Sequence, residues 1–255
     1  MTGVAVDNTA RMAACPLADG GTPEQIWSAA GLSLPDLDMR DCAELVLVGA
    51  HPDDETLGFG AAAAWLAEAG VPVQIVSASD GGAAFPGATP LQRNRLEQAR
   101  RSELRCAAET LGVSPPISLG FPDGQLACHE DRLTEVLTEI LAARPAGTWC
   151  AATWRGDGHP DHEAVGRAAA AATRRTATVL VEYPVWMWHW ARPADSAVPW
   201  EHGYTLPVSS TARQRKLAAA RCFHSQFTPP EPGIDAVLPP YFLPRLLAVG
   251  EVVFR

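Results

Sequence analysis

The chain has 255 residues, of which 20 are Lys or Arg and 29 are Asp or Glu, so its formal net charge is −9. A chain this acidic is a poor match for a phosphate backbone, which argues against nucleic acid as a partner. Lys216 is the only lysine in the sequence and no GxxxxGK loop is present, so Schiff-base chemistry and P-loop phosphate binding are disfavoured as well.

Residues 1–40 are rich in turn-forming residues and are interpreted as an N-terminal extension, with a short helix predicted over 22–30. The apolar run at the start is too short for a signal peptide, and no stretch approaches the roughly 18 apolar residues of a membrane span. We therefore expect a cytoplasmic protein without stable membrane insertion. Six cysteines are scattered without a CxxC pair, which predicts neither a zinc ribbon nor a disulfide framework.

From residue 41 onward, short apolar strands alternate with longer helices. Strands are predicted over 44–50, 73–78, 117–121, 148–153 and 178–182, and helices over 55–69, 89–111, 130–143 and 161–174. This alternation predicts parallel strands joined by right-handed crossovers, hence a Rossmann-like α/β fold: a three-layer sandwich with a mostly parallel sheet. We assign 41–255 to a single domain. Because ligands of such sheets bind beyond the carboxyl ends of the strands, chemistry is expected in the loops that follow them.

Two clusters of acids and histidines follow strands of this sheet. His51-Pro-Asp-Asp-Glu55 comes directly after the first strand, and Gly156-Asp-Gly-His-Pro-Asp-His162 follows the fourth. A catalytic zinc usually takes three His, Asp or Glu ligands and keeps a fourth position for water, and His51, Asp54 and His162 could supply that set. Either motif alone is more often a turn with a helix cap, because Asp caps helix amides and Pro fits the first turn.

Together, over about residues 44–182, these motifs resemble the zinc-dependent N-deacetylases related to the GlcNAc-phosphatidylinositol de-N-acetylase, the PIG-L or LmbE-like family. Its members include mycothiol, bacillithiol and antibiotic-glycoside deacetylases. The resemblance implies that His51, Asp54 and His162 bind Zn²⁺, with another divalent metal such as Fe²⁺ left open. It also implies that Asp53 is the general base for a zinc-activated water, and that His159 stabilises the oxyanion or protonates the leaving amine. The implied activity is removal of an N-acetyl or N-acyl group from an N-acetylglucosamine-type sugar on a small-molecule glycoconjugate.

Family members also hold the sugar with an arginine and an aspartate, which match Arg100 and Asp123. Arg100 lies on the apolar stripe of its predicted helix, where a buried guanidinium needs a partner. The alternative for Arg100 is a structural pair with Asp80, Glu103 or another acid, and Asp123 equally suits an Asp-Gly turn. Many relatives have an acid after the glycine of the second-strand loop. Residues 81–83 are Gly-Gly-Ala here, so the contact made by that acid is in doubt.

The C-terminal part is marked by prolines and tryptophans. Between residues 183 and 244 their density predicts irregular structure on the substrate side, with one helix near 211–223. Trp186 and Trp188 follow the fifth strand and so come near the same sheet edge, where tryptophan stacks well on sugars and apolar rings. If they bind substrate, the amino sugar carries an apolar aglycone. The alternative is that alternate residues of this run pack as an edge strand.

Parts of the sequence also fit two other functions. Gly58-Phe-Gly60-Ala-Ala-Ala63 fits the loose dinucleotide pattern G-x-G-x-x-A of a nucleotide-dependent oxidoreductase or transferase. The acids of residues 53–55 would repel a pyrophosphate there, so these glycines are better explained by close helix-sheet packing. A non-catalytic metal-binding module is disfavoured because a structural zinc needs a fourth ligand, commonly Cys, and no cysteine neighbours either motif. Assembly into a homo-oligomer is left open.

Overall fold

A computed structural model describes residues 7–255 of the chain. This part folds around a seven-stranded sheet. The strands, numbered along the chain, are β1 (Glu44–Gly49), β2 (Val73–Ser79), β3 (Ser114–Phe121), β4 (Thr148–Thr153), β5 (Val179–Tyr183), β6 (Gly203–Thr205) and β7 (Val252–Phe254). Their order across the sheet is β3-β2-β1-β4-β5-β7-β6. The first five strands pair in parallel, and β7 runs antiparallel to both β5 and β6.

Helices cover both faces of this sheet. They are α1 (Asn8–Ala13), α2 (Glu24–Ala30), α3 (Asp54–Glu68), α4 (Pro90–Leu111), α5 (Glu130–Ala142), α6 (Pro160–Thr176), α7 (Met187–Trp190), α8 (Ser210–Ala220), α9 (His224–Phe227) and α10 (Phe242–Val249). Short 3₁₀ turns occur at Leu17–Asp19, Leu126–His129 and Trp200–His202. None of the helices within residues 7–255 combines the length and apolar composition needed to cross a bilayer.

The residues of β1 show how the three layers are held together. Leu45 and Leu47 belong to one apolar core with side chains of α3, α4 and α8, whereas Val46 and Val48 belong to a second core with α5 and α6. Successive side chains of a strand point to opposite faces, so an unbroken apolar run is what a strand covered on both sides requires. The predicted α/β sandwich with a mostly parallel sheet is confirmed.

The C-terminal region is more regular than its prolines predicted. It contains α7, β6, α8 and α9, and the chain then adds α10 and β7. The edge-strand alternative for the tryptophan run is wrong, because residues 187–190 form α7. The Asp157 carboxylate accepts hydrogen bonds from the backbone N–H groups of Val185, Trp186 and Met187, each at 2.9 Å, and these bonds stabilise a helical turn there.

The described part of the predicted N-terminal extension packs against the sheet domain. Trp27 of α2 is 2% exposed, and its indole N–H donates to the backbone oxygen of Trp188 at 3.0 Å. The side-chain amide of Asn8 in α1 donates to the backbone oxygen of Gly156 at 2.7 Å. The domain boundary at residue 40 stays a prediction, and residues 1–6 lie outside the described part of the chain.

Two of the six cysteines are joined, contrary to the sequence prediction. A disulfide links Cys106 of α4 to Cys222, which follows α8, across a sequence separation of 116 residues. No local spacing signals a pair so far apart in sequence, and the contact arises because α4 packs on α8. Cys42 and Cys150 are buried, as small apolar side chains commonly are. The cytoplasmic location stays a prediction.

Candidate metal centre

The loops after β1 and β4 meet at the carboxyl edge of the sheet, because these two strands are neighbours. They bring together His51, Asp54 and His162, whose candidate ligand atoms all lie within 4.8 Å of one another. Asp54 stands between the histidines: its Oδ1 lies 3.1 Å from His162 Nε2, and its Oδ2 lies 3.5 Å from His51 Nδ1. All three side chains are buried. The structure thus places the three predicted ligands in one group.

His162 is oriented as a metal ligand would be. Its Nδ1 lies 2.8 Å from Asp157 Oδ2, so in the neutral ring Nδ1 carries the proton and Nε2 keeps a free lone pair. Nε2 is buried, and its 3.1 Å contact with Asp54 Oδ1 lacks the geometry of a hydrogen bond, so within residues 7–255 the atom has no hydrogen-bond partner, which is uncommon for a buried polar atom. Two imidazoles and a carboxylate are a donor set that suits Zn²⁺. The residues present therefore fit a divalent metal, with Asp157 fixing the ring of His162.

Asp157 received no role from the sequence. It is fully buried, and it accepts three backbone hydrogen bonds from residues 185–187 besides facing His162. One carboxylate therefore connects a proposed ligand to the segment that carries Trp186. The signal available in the sequence was an acid between two glycines within the 156–162 motif. The backbone donors that give this acid its role come from a segment 28 to 30 residues further along the chain.

The charges of this group depend strongly on one another. Burial lowers the pKa of His162, but Asp54 and Asp157 outweigh burial and raise it to about 9. Burial raises the pKa of Asp54, but His162 and His51 outweigh burial and hold it well below its usual range. Buried acids that favour a proton on a facing imidazole also favour a divalent cation in that proton's place.

Asp53 lies beside the group in an unusual backbone conformation. Its φ of 136° is in a region that L-residues rarely adopt, and such strain is concentrated at functional sites. Its Oδ2 lies 3.2 Å from Nη2 of Arg100, which also donates to the backbone oxygen of Pro52 at 2.7 Å. Burial raises the pKa of Asp53 to about 7, against the lowering effect of Arg100. Burial and the nearby Asp53 likewise raise the pKa of Glu55 to about 8.

Arg100 is therefore paired with an acid, though with neither acid named from the sequence. Asp80 instead pairs with Arg101, and Glu103 accepts hydrogen bonds from Ser225. The guanidinium of Arg100 is 4% exposed and lines the same cavity as Asp53. A role in substrate binding stays a proposal, because the ion pair with Asp53 explains the buried charge by itself.

His159 is the N-cap residue that directly precedes α6, and it also lines the cavity. Its Nδ1 accepts a hydrogen bond from the backbone N–H of Asp161 at 3.2 Å, which leaves the proton of the neutral ring on Nε2. Burial, together with the charge of His162 and His51, lowers the pKa of His159 to about 3. The ring is thus arranged as a neutral hydrogen-bond donor through Nε2.

Asp123 lies at the other side of His51. Its Oδ1 is 2.9 Å from His51 Nε2, and Oδ2 of Asp161 is 3.3 Å from the same atom. These three residues form a second group whose ligand atoms could hold a metal. Asp123 Oδ2 also accepts a hydrogen bond from the backbone N–H of Ala83 at 2.7 Å. Both oxygens of this predicted sugar-binding residue therefore have protein partners, although Asp123 does line the cavity.

The cavity has a volume of about 330 Å³, which is at the lower end of the roughly 300–1,000 Å³ of small-molecule sites. One wall is polar and is formed by His51, Asp53, Asp54, Arg100, Asp123 and His159. Apolar residues from the N- and C-terminal parts of the chain, here called the apolar wall, also line the cavity: Met12, Leu17, Val185, Trp186, Val237, Leu238 and Phe242. The cavity can therefore contact a polar group through its acids and histidines and an apolar group through the apolar wall.

The two tryptophans predicted to bind substrate lie in different places. Trp186 is half-buried at the cavity, with its ring centre 4.7 Å from that of Phe242 and 6.4 Å from that of His159. Trp188 is 2% exposed and packs edge-on against Trp27 at 4.9 Å. It is absent from the cavity wall formed by residues 7–255. Because α7 is a helical turn and not a strand, residues two apart do not share a face.

The glycines of the dinucleotide-like pattern serve close packing. A Cβ on Gly58 would overlap the ring of Tyr183, and one on Gly60 would come within 3.3 Å of the Lys216 side chain. Lys216 is itself buried, and its Nζ lies 2.9 Å from Oε1 of Glu251. Protein side chains thus occupy the space that the pattern would keep open for a pyrophosphate.

Known proteins are similar to this chain in sequence over the segment that carries these residues. The family model described as PIG-L, GlcNAc-PI de-N-acetylase, matches residues 46–173, which contain every residue of the polar wall. The chain belongs to the PIG-L family. Within it, a 1D-myo-inositol 2-acetamido-2-deoxy-alpha-D-glucopyranoside deacetylase 2 of Saccharopolyspora erythraea is 32% identical over 76% of both chains. A 1D-myo-inositol 2-acetamido-2-deoxy-alpha-D-glucopyranoside deacetylase of Kineococcus radiotolerans is 31% identical over 69% of this chain and 55% of its own length.

A solved structure shares the PIG-L fold at lower identity. The A40926 pseudoaglycone deacetylase Dbv21 is 21% identical, with a TM-score of 0.57 over 83% of this chain and 96% of its own. This chain spans about half the length of the first curated relatives it matches. The residues of the apolar wall lie outside the residues matched by the family model, whereas the apolar lining residues Leu57, Ala83 and Ala84 lie within them.

Proposed function

We propose that this protein is a metal-dependent hydrolase that removes an N-acetyl group from an N-acetylglucosamine-type sugar on a small-molecule glycoconjugate. The observation that carries the proposal is the meeting of two acid-histidine loops at one cavity, with His51, Asp54 and His162 grouped and with Asp53 and His159 beside them. Membership of the PIG-L family supports the reaction class. Zn²⁺ is the metal proposed, because the donor set has two imidazoles and one carboxylate.

The proposed ligands are His51, Asp54 and His162. A bound divalent metal would supply Lewis acidity toward the amide carbonyl. It would also lower the pKa of a water molecule toward neutral pH, which makes that water a better nucleophile. Asp53 would take a proton from the attacking water, since it is buried in the cavity and is not needed as a ligand. His159 would donate through Nε2 to the oxygen that becomes negative. Either Asp53 or His159 would then give a proton to the departing amine.

Arg100 has two tasks in this proposal. Through its 3.2 Å ion pair it holds the carboxylate of Asp53 in place, and its cavity-lining edge contacts the sugar. Asp123 would bind the sugar from beside His51. The apolar wall, which includes Trp186, would hold the aglycone, as the sequence suggested for this tryptophan.

Acetate release with and without a chelator tests the function. We expect the purified protein to liberate acetate from N-acetylglucosaminides, to lose that activity on chelation, and to regain it when Zn²⁺ is added. A nucleotide-dependent enzyme would instead retain NAD or a related nucleotide, and a binding module would hold metal without releasing acetate. Retention of NAD by metal-free protein would overturn the proposal.

Trp186→Ala is expected to raise KM about 10-fold more for a glycoside with an apolar aglycone than for free N-acetylglucosamine, because the aglycone loses an aromatic surface. Trp188→Ala is the matched control from the same helical turn. Since Trp188 is buried in the core, its loss should lower the melting temperature and leave the ratio of the two KM values unchanged. Equal effects of Trp186→Ala on both substrates would show that Trp186 does not meet the aglycone.

A further inference from the structure

Gln226 is a cavity residue without a role in the mechanism above. It lies in α9, its side chain is fully buried, and it lines the cavity together with Asp53 and Arg100. Its backbone is fixed from both sides, because its N–H donates to Phe223 at 3.0 Å and its oxygen accepts from Leu238 at 2.9 Å. It lies outside the residues that the family model matches.

The neighbouring residues determine which way the Gln226 amide faces. Ser225 donates its backbone N–H and its hydroxyl to the two carboxylate oxygens of Glu103, at 2.8 and 2.7 Å. The hydroxyl proton is thereby used, so Ser225 Oγ can only accept from its other neighbour. That neighbour is Gln226 Nε2, at 2.9 Å. The reverse orientation would bring two oxygens without a proton into contact, so the amide is held with Nε2 toward Ser225.

This arrangement leaves Gln226 Oε1 as a free acceptor. The atom is buried and has no hydrogen-bond partner among residues 7–255. Buried side-chain oxygens nearly always have a partner, and this one belongs to a residue of the cavity wall. Because an amide oxygen can only accept, the group that pairs with Gln226 Oε1 must be a hydrogen-bond donor.

We propose that Gln226 Oε1 accepts a hydrogen bond from a ring hydroxyl of the amino sugar. The inference rests on the proposed function and adds a specificity-determining residue to it. Gln226 lines the cavity of about 330 Å³ together with Asp53 and Arg100, so a sugar ring held at those two residues comes near Gln226 Oε1. Gln226 would thus make the enzyme select sugars that carry a free hydroxyl at one position, because a substrate without it leaves the acceptor unpaired.

The test compares Gln226→Leu with the unmodified protein on methyl N-acetylglucosaminide and on its 3-, 4- and 6-deoxy analogues. We expect the unmodified protein to lose about 10-fold in kcat/KM on one deoxy analogue, the size of one neutral hydrogen bond. Gln226→Leu should lose about the same factor on the parent sugar and should no longer distinguish that analogue from it. Gln98→Leu, an exposed glutamine of α4, is the matched control and should behave as the unmodified protein.

A uniform loss on all four sugars, or no change on any, would overturn the inference, because a merely structural role does not select one hydroxyl. Metal content and melting temperature show whether Gln226→Leu is folded. If Gln226→Leu fails to fold, Ser225→Ala replaces it in the test, because this variant removes the hydroxyl that holds the Gln226 amide in place. We expect Ser225→Ala to reduce the difference in kcat/KM between the parent sugar and the same deoxy analogue. An unchanged difference would contradict the inference. Calorimetric binding of the same four sugars gives a second readout. If no sugar releases acetate, the proposed function fails, and binding still decides the role of Gln226.

Discussion

His162→Ala is expected to abolish metal retention, with a loss of affinity of at least roughly 100-fold, and to abolish hydrolysis with it. His162 is the ligand with the strongest support, since its Nδ1 is held by Asp157 at 2.8 Å and its buried Nε2 faces Asp54 at 3.1 Å. Loss of an orienting partner alone typically weakens metal binding 10- to 100-fold, so loss of the ligand itself should cost more. The measurement is metal content by elemental analysis after dialysis.

The matched control is His202→Ala, which removes an exposed histidine outside the metal group. This variant should keep one metal ion per chain and full activity. Equal metal content in the two variants would mean that the metal, if any, is held elsewhere, and would remove the basis of the proposed mechanism.

Asp53→Asn is expected to keep the metal and to slow turnover by about 100-fold or more, the usual size of a general-base contribution. Asparagine retains the shape of the side chain and tolerates positive φ better than most residues, so the strained backbone at φ 136° should survive the change. Metal content and kcat are measured on the same preparation.

Asp54→Asn is the informative partner of that variant. Asp54 contacts both proposed histidine ligands, so its amide form should lose the metal as well as the activity. If Asp53→Asn loses the metal and Asp54→Asn keeps it, the two roles are exchanged. If Asp53→Asn retains full turnover, another group is the base.

The sheet and the meeting of the two motifs could be predicted because they depend on local patterns. The apolar run at Leu45–Val48 predicts a strand covered on both faces, and β1 fills both cores. Once β1 and β4 are parallel strands of one sheet, topology brings the loops at His51 and His162 to the same edge. No long-range contact had to be known for that step.

What could not be predicted depends on contacts between distant segments. Asp157 acquires its role from backbone N–H groups of residues 185–187, and those same bonds turn the tryptophan run into a helix that separates Trp186 from Trp188. The disulfide of Cys106 and the placement of Gln226 both follow from packing on α4. In each case the residue type alone does not indicate the role, because the groups that the side chain contacts come from another part of the chain.

The position of the metal tests the central claim most directly. Crystals grown with Zn²⁺ and measured at the zinc absorption edge should show one anomalous peak about 2.0–2.2 Å from His162 Nε2, Asp54 and His51. The structure offers an alternative position at His51, Asp123 and Asp161, which share the ring of His51 but not His162. A peak in the first position agrees with the account. A peak only in the second position, or none in either, would contradict it.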